Sequence, residues 1–169
     1  YRGQALTSRQ KCYWKVFVGY EGGTAESGVS FFETGLDADD WKGTWMSMPV
    51  NNQGGTTLYR KIIPVKEKEF TRVRAYVCGI GCCEVFCNGV KTDDAVLDPP
   101  ITEYARRVLY RAHDLTHLMH AGDNVFGVEV AHGWFGAKKV LVQIYVDYAD
   151  GETEEFHSSV NGGWWVGGS

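Results

Sequence analysis

Residues 82–91 read Cys82-Cys83-Glu84-Val85-Phe86-Cys87-Asn88-Gly89-Val90-Lys91, a run of small and bulky apolar residues that ends in an Asn-Gly pair. Asn-Gly is the strongest short hairpin signal, because both central residues of a tight two-residue turn need positive φ. Working upstream, Arg72 to Cys78 and Leu58 to Val65 are rich in β-branched and aromatic residues and read as strands. Working downstream, Val125 to Ala131 alternates, Val140 to Tyr148 is the cleanest strand, and Asp150-Gly151 turns into a further strand over Glu154 to Ser158. Tyr13 to Tyr20 and Gly28 to Thr34 add strands near the N-terminus. Asp98-Pro99-Pro100 excludes a central strand, and Tyr104 to Tyr110 is expected to return to extended structure. Asp114 to Met119 reads as one helical turn with Asp114 as its cap, stopped at Gly122. About ten short strands with almost no helix predict an all-β sandwich.

Composition narrows the function classes. With 169 residues, 44% hydrophobic, 22% charged, 21 glycines and 4 prolines, the chain suits short strands and tight turns rather than disorder. A net charge of −4 without a basic run gives no footprint for nucleic acid. No apolar stretch approaches the roughly 20 residues of a spanning helix, so no membrane partner is expected. The chain opens on Tyr1 inside a strand-like pattern, as a mature product or an excised part of something longer would.

Several ordered motifs then converge on one family. Leu58-Tyr59-Arg60-Lys61, Arg72-Val73-Arg74-Ala75-Tyr76-Val77 and Cys87-Asn88-Gly89 are followed by Leu97-Asp98-Pro99, Thr102-Glu103-Tyr104 and Arg107-Val108-Leu109-Tyr110. Asp114-Leu115-Thr116, Gly122-Asp123-Asn124 and Gly133-Trp134-Phe135-Gly136 complete the series. This order resembles the N-terminal jelly-roll, carbohydrate-binding-type domain of α-L-rhamnosidases. The resemblance covers residues 41–159; residues 1–37 resemble the second half of a fibronectin type III-like domain, and residues 160–169 are left as a Gly/Trp tail or linker. It implies a jelly-roll β-sandwich with a partial fibronectin type III-like sandwich before it, in a secreted or extracellular protein. Half a sandwich leaves an apolar face and strand edges uncovered, so strands from a neighbouring copy or another piece are expected to complete it. Pro100, where the family carries glycine, and the hairpin cysteines depart from the pattern close to the ligand loop.

The resemblance also implies what the chain does. A glycosidase needs two facing carboxylates about 5–10 Å apart, and in rhamnosidases these belong to a separate helical barrel, so no catalysis is expected in this chain. Some of these jelly rolls bind L-rhamnose through calcium, which takes several oxygen ligands in irregular geometry. The resemblance places Asn51, Asn52 and Asp98 as possible calcium ligands, and Asn51, Asn52, Asp98, Pro99 and Trp134 as carbohydrate contacts; the plainer reading of Asn51 and Asn52 is a turn. Trp134 could stack on a sugar ring, although a core tryptophan at a tight bend is the expectation. Trp41 and Trp45 fit core packing, and Trp164-Trp165 suits docking against a neighbouring domain. His113, His117 and His120 have helical spacing for a metal face, with local bonding favoured. Cys12, Cys78, Cys82, Cys83 and Cys87 are disulfide candidates, four of them expected on two paired strands, or else buried small apolar side chains. Two functions compete: a glycan-binding module, and a structural module that packs against neighbouring domains or copies of itself.

Overall fold

The computed structural model describes residues 3–48, 55–134 and 137–168. The chain divides into two compact units, Tyr1–Trp41 and Lys42–Ser169. The first unit holds β1 (Lys11–Trp14), β2 (Phe17–Tyr20), β3 (Gly23–Glu26) and β4 (Ser30–Glu33), then a 3-10 turn over Ala38–Asp40. The single strand expected over Tyr13 to Tyr20 is thus two strands, broken where Val16 N donates to Ser27 Oγ at 3.0 Å. β1 pairs with β4 and β2 pairs with β3, giving two separate antiparallel ribbons.

The second unit is the sandwich. It runs through β5 (Met46–Ser47), β6 (Thr57–Val65), β7 (Phe70–Ile80), β8 (Cys82–Cys87), β9 (Val90–Lys91) and β10 (Tyr110–Asp114). It continues through β11 (Gly122–Ala131), β12 (Lys139–Tyr148), β13 (Thr153–His157) and β14 (Trp165–Gly168). One sheet has the order β10-β7-β12-β13, with β5 also on β12; the other has the order β14-β6-β11-β8-β9. Every ladder is antiparallel.

Period-two burial explains why the sheets close on each other. Tyr59, Ile63 and Val65 of β6 and Phe126, Val128 and Val130 of β11 face inward from one sheet. Val73, Ala75 and Val77 of β7 and Val140, Val142, Ile144 and Val146 of β12 meet them from the other. Strands whose alternate residues are all apolar can bury one face without stranding a polar group. The hairpin expected at Asn88-Gly89 is present, with φ of 51° and 80° and Cys87 opposite Val90. Asn88 does more than turn: its amide donates to Leu118 O (2.8 Å) and Asn124 Oδ1 (2.9 Å), and its Oδ1 accepts Val125 N (2.8 Å).

Several local expectations change. β7 and β8 do not pair; they lie in different sheets. Gly81, at φ +115°, turns the chain from one sheet to the other, and a Cβ there would come 2.3 Å from Ala131 O. Cys78 and Cys82–Cys87 therefore do not share one ladder, and all five cysteines are free thiols. Residues 104–106 turn rather than extend, and the strand begins at Tyr110. The Gly/Trp tail is the edge strand β14, with Trp165 opposite Arg60. Met119 N and Leu118 N both reach Leu115 O at 3.0 Å, closing the single turn expected after Asp114.

Candidate functional site

The connection from β9 to β10 and the connection from β11 to β12 enclose a cavity of about 610 Å³. Its walls are Cys82, Leu97, Ile101, Thr102, Glu103, His132, Gly133 and Trp134. The volume lies inside the usual range for ligand sites, about 300–1,000 Å³. Trp134 is 88% exposed, so the expected core position is overturned: the indole stands out from the fold as a wall of the cavity. The reason lies in its backbone. Gly133 packs its Cα side against Gly81, where a Cβ would approach Gly81 Cα to 3.3 Å. The chain passes too close to the β7–β8 bend to admit a large side chain inward, and the next residue points outward.

Leu97, another of the lining residues, is set by backbone constraint. Leu97 holds φ +55° and is 78% exposed. A non-glycine residue in the left-handed region costs about 1–2 kcal/mol and needs surroundings that hold it there. Those surroundings are visible one residue on. Asp98 O accepts Cys83 N at 2.6 Å, and Asp98 Oδ2 pairs with Arg111 Nη1 at 3.1 Å. Arg111 also reaches Asp93 at 3.4 Å, so a single guanidinium from β10 fastens both ends of the 93–98 loop.

Behind Arg111 lies His113, which is buried and has Nδ1 2.8 Å from Thr92 Oγ1 and 3.1 Å from Asp93 Oδ2. Burial lowers its pKa, and Arg111 pushes the same way against the pull of Asp93. His120 Nδ1 lies 2.7 Å from Ala121 O, whereas His113 bonds across to Thr92 and Asp93, so these two histidines of the expected metal face have separate partners. Glu103 pairs with Arg106 at 3.1 Å, and Thr102 Oγ1 donates to Arg107 O.

Of the residues expected to touch sugar, Trp134 lines the cavity, and Asp98 and Pro99 lie on the loop behind Leu97. Pro99 is buried, its Cδ near Gly79. Asn51 and Asn52 fall outside the described residues. For calcium, Asp98 is the one charged ligand in the expected set, and its Oδ2 is engaged by Arg111. Its carbonyl accepts Cys83 N. Among the described residues no group of three His, Cys, Asp or Glu converges on a metal position. Sequence reasoning missed Leu97, Ile101 and His132; the only signal was their nearness to the Pro-Pro and Gly-Trp-Phe-Gly segments.

Cys78, Cys83 and Cys87 are buried packing groups. Burial pushes the Cys78 and Cys83 thiols up to about 12 and the Cys87 thiol to about 11. Cys83 Sγ fills the space over Gly79, where a Cβ would come within 2.0 Å of it.

Residues 68–164 match the α-L-rhamnosidase N-terminal domain, and residues 1–38 match the Rha78A-like N-terminal immunoglobulin domain. The chain belongs to the α-L-rhamnosidase N-terminal domain family. An α-L-rhamnosidase of Formosa agariphila is 30% identical over 178 residues, covering 89% of this chain and 19% of the relative. The α-L-rhamnosidase structure from Dictyoglumus thermophilum superposes with a TM-score of 0.88 at 27% identity, over 99% of this chain and 22% of that one. A Pleurotus ostreatus lectin, solved in complex with GalNAc, shares the fold at a TM-score of 0.54 and 17% identity, over 73% of this chain and 34% of the lectin. The chain thus spans 19% of a curated relative's length. The part of the family it matches is the N-terminal domain, and the N-terminal segment is immunoglobulin-like. Among the described residues no helix is long and apolar enough to cross a membrane.

Proposed function

We propose that this chain is a non-catalytic carbohydrate-binding module of a secreted, rhamnosidase-like glycoside hydrolase, and that it takes L-rhamnose or a related glycan in the Leu97–Trp134 cavity. The observation that carries this reading is the 88% exposed indole of Trp134, standing as one wall of a concave apolar site. Sugar rings present C–H faces that pack on indole and hydroxyls that need acceptors and donors at the edge. Leu97 and Ile101 supply further apolar lining, while Thr102, Glu103 and His132 supply edge groups. Glu103 is the one carboxylate among the lining residues, whereas glycoside hydrolysis needs two. That favours binding over catalysis.

Calcium enters as a proposal of its own, since Asp98 would have to leave Arg111 to ligate an ion. The test is titration of the intact chain with L-rhamnose, with and without calcium, read by tryptophan fluorescence, beside Trp134→Ala. Saturable binding that falls about tenfold or more in the variant, a loss of ~1.4 kcal/mol, supports the reading. No saturation in either condition refutes it.

A second reading has its own observation. In the first unit Tyr13, Phe17, Tyr20 and Phe31 are all exposed on short strands. A structural module whose partial sandwich is completed by strands from a neighbouring chain would present such a face. Sedimentation of the chain at increasing concentration separates the two: a constant monomer mass removes self-completion.

A further inference from the structure

A second cavity, of about 420 Å³, lies in the sandwich unit along the edge where β5 and β14 run. Trp45, Met46, Ser47, Ser159, Val160, Trp164 and Val166 line it, from β5, the β13–β14 connection and β14. We infer that this cleft between Trp45 and Trp164 is a second sugar subsite, selective for neutral pyranose rings. The inference rests on the carbohydrate-binding reading given above, and extends it from one site to two.

Rigid aromatic walls are the first part of the argument. Trp164 is fixed at two points: Nε1 donates to His157 O at 3.2 Å, and its ring meets Phe126 edge-on at 6.2 Å and 86°. Trp45 is fixed through its neighbours. Thr44 N donates to Ser158 O at 2.8 Å, Ser158 Oγ donates to Thr44 O at 2.7 Å, and Met46 pairs with Val140. Walls already held in place spare a weak ligand the cost of ordering them.

Openness and chemistry are the second part. Trp45 is 38% exposed and Val160 is 79% exposed, so the space between them is an accessible cleft and not a packing flaw. A core tryptophan, as expected for Trp45, would have no such face. Every lining side chain is uncharged, with two hydroxyls, Ser47 and Ser159, among apolar surfaces. Such a lining can pack a C–H face and meet a few hydroxyls, but its own side chains give a carboxylate or sulfate no counter-charge, and Lys61 Nζ, 6.0 Å from the Trp164 ring centroid, is engaged by Gly162 O. The Leu97–Trp134 cavity differs in holding Glu103 and His132. Two weak sites on one domain would favour glycans long enough to engage both.

The experiment is two-dimensional NMR of the intact chain, following tryptophan indole N–H signals during titration with L-rhamnose, and with glucuronic acid as the anionic control. The Trp164 indole proton, held by His157 O, is a fixed reporter. The expected result is that Trp45 and Trp164 signals shift with L-rhamnose in both the wild type and Trp134→Ala. Val160→Asp, on an exposed loop where folding is not at risk, lowers affinity at those signals about tenfold and leaves Trp134 responsive. Glucuronic acid leaves Trp45 and Trp164 unmoved.

A shift confined to Trp134 overturns the second subsite while the first site stands. A shift at Trp45 and Trp164 without one at Trp134 supports the second subsite and removes the first. Silence at all three signals overturns both, and an equal response to glucuronic acid overturns the selectivity.

Discussion

Both units carry backbone hydrogen bonds across their chains, and they bury their side chains very differently. In the first, Arg9 N reaches Gly35 O at 3.1 Å, Thr34 N reaches Gln10 O at 3.0 Å and Ser27 N reaches Val16 O at 2.9 Å. Yet Phe17 is 71% exposed, with Tyr13, Val18, Tyr20, Val29 and Phe31 exposed around it. In the second, comparable ladders enclose Tyr59, Phe126, Val130 and Ile144 almost completely. Hydrogen-bonded ribbons of two strands are marginal in water on their own, because the net gain per bond is only about 0.5–1.5 kcal/mol. What separates the units is the facing sheet. The sandwich has one, and the two ribbons of the first unit leave their aromatics uncovered.

The strongest way to break this comparison is to cut the same kind of residue in each unit. Phe126→Ala should cost about 3–5 kcal/mol of stability, since it empties a fully buried site. Phe17→Ala should change stability by less than about 0.5 kcal/mol. Denaturant midpoints of the two variants decide it. A large loss at Phe17 would mean that its face is covered in solution, and would favour the packing-module reading.

Thiol chemistry sharpens the same contrast inside the sandwich. Cys78, Cys83 and Cys87 are buried with pKa values raised to about 12, 12 and 11, whereas Cys12 and Cys82 are partly exposed. Only the thiolate reacts. A thiol reagent at pH 8 should therefore label only Cys12 and Cys82 in the native chain, and all five after unfolding without reductant. Fewer than five labelled in the unfolded chain would reveal a disulfide and a different arrangement of these strands.

The cysteines also mark where reading the sequence stops. Strand existence was legible over most of the sandwich, because β6, β8, β11 and β12 alternate or run apolar, and Asn88-Gly89 admits few conformations. Pairing was less so. Cys78 and Cys82 look like neighbours in one hairpin, and nothing local says that Gly81 sends the chain across to the other sheet. That choice depends on Ala131 O lying against Gly81, 50 residues later. Trp134 shows the same limit: an aromatic after a glycine reads as core or surface alike, and the close approach of Gly133 to Gly81 settles it. The resemblance pointed to the loop around Asp98, but the ion pair with Arg111 is a tertiary fact that no motif carries.

His113 gives a smaller, pH-dependent test. Its folded pKa lies below the ordinary value of about 6.5, chiefly through burial. The unfolded chain therefore binds this proton more readily than the folded one. Its contribution is fully present above pH ~6.5 and is lost as pH falls from there toward the folded value, with a slope of at most ~1.4 kcal/mol per pH unit. Stability measured between pH 7 and 5 should fall more steeply in the wild type than in His113→Gln. Equal slopes would show that the cluster of Asp93, Asp98 and Arg111 around it already offsets the buried charge.

Leu97 separates the needs of the fold from those of the site, by the smallest amount. Its φ of +55° costs a leucine about 1–2 kcal/mol and a glycine almost nothing, while glycine loses about 0.5–1 kcal/mol more chain entropy on folding. Leu97→Gly should thus leave stability unchanged or raise it by up to about 1 kcal/mol. The same change removes an apolar wall of the cavity that Trp134 lines, so sugar affinity there should fall severalfold. Both are read from one sample by a thermal melt and a titration. If stability rises while binding is untouched, Leu97 belongs to the loop's folding alone, and the cavity's working wall is Ile101. If binding falls while stability holds, the strained residue is kept in place for what it touches. The loop clamped by Arg111 is then part of the site and not just its support.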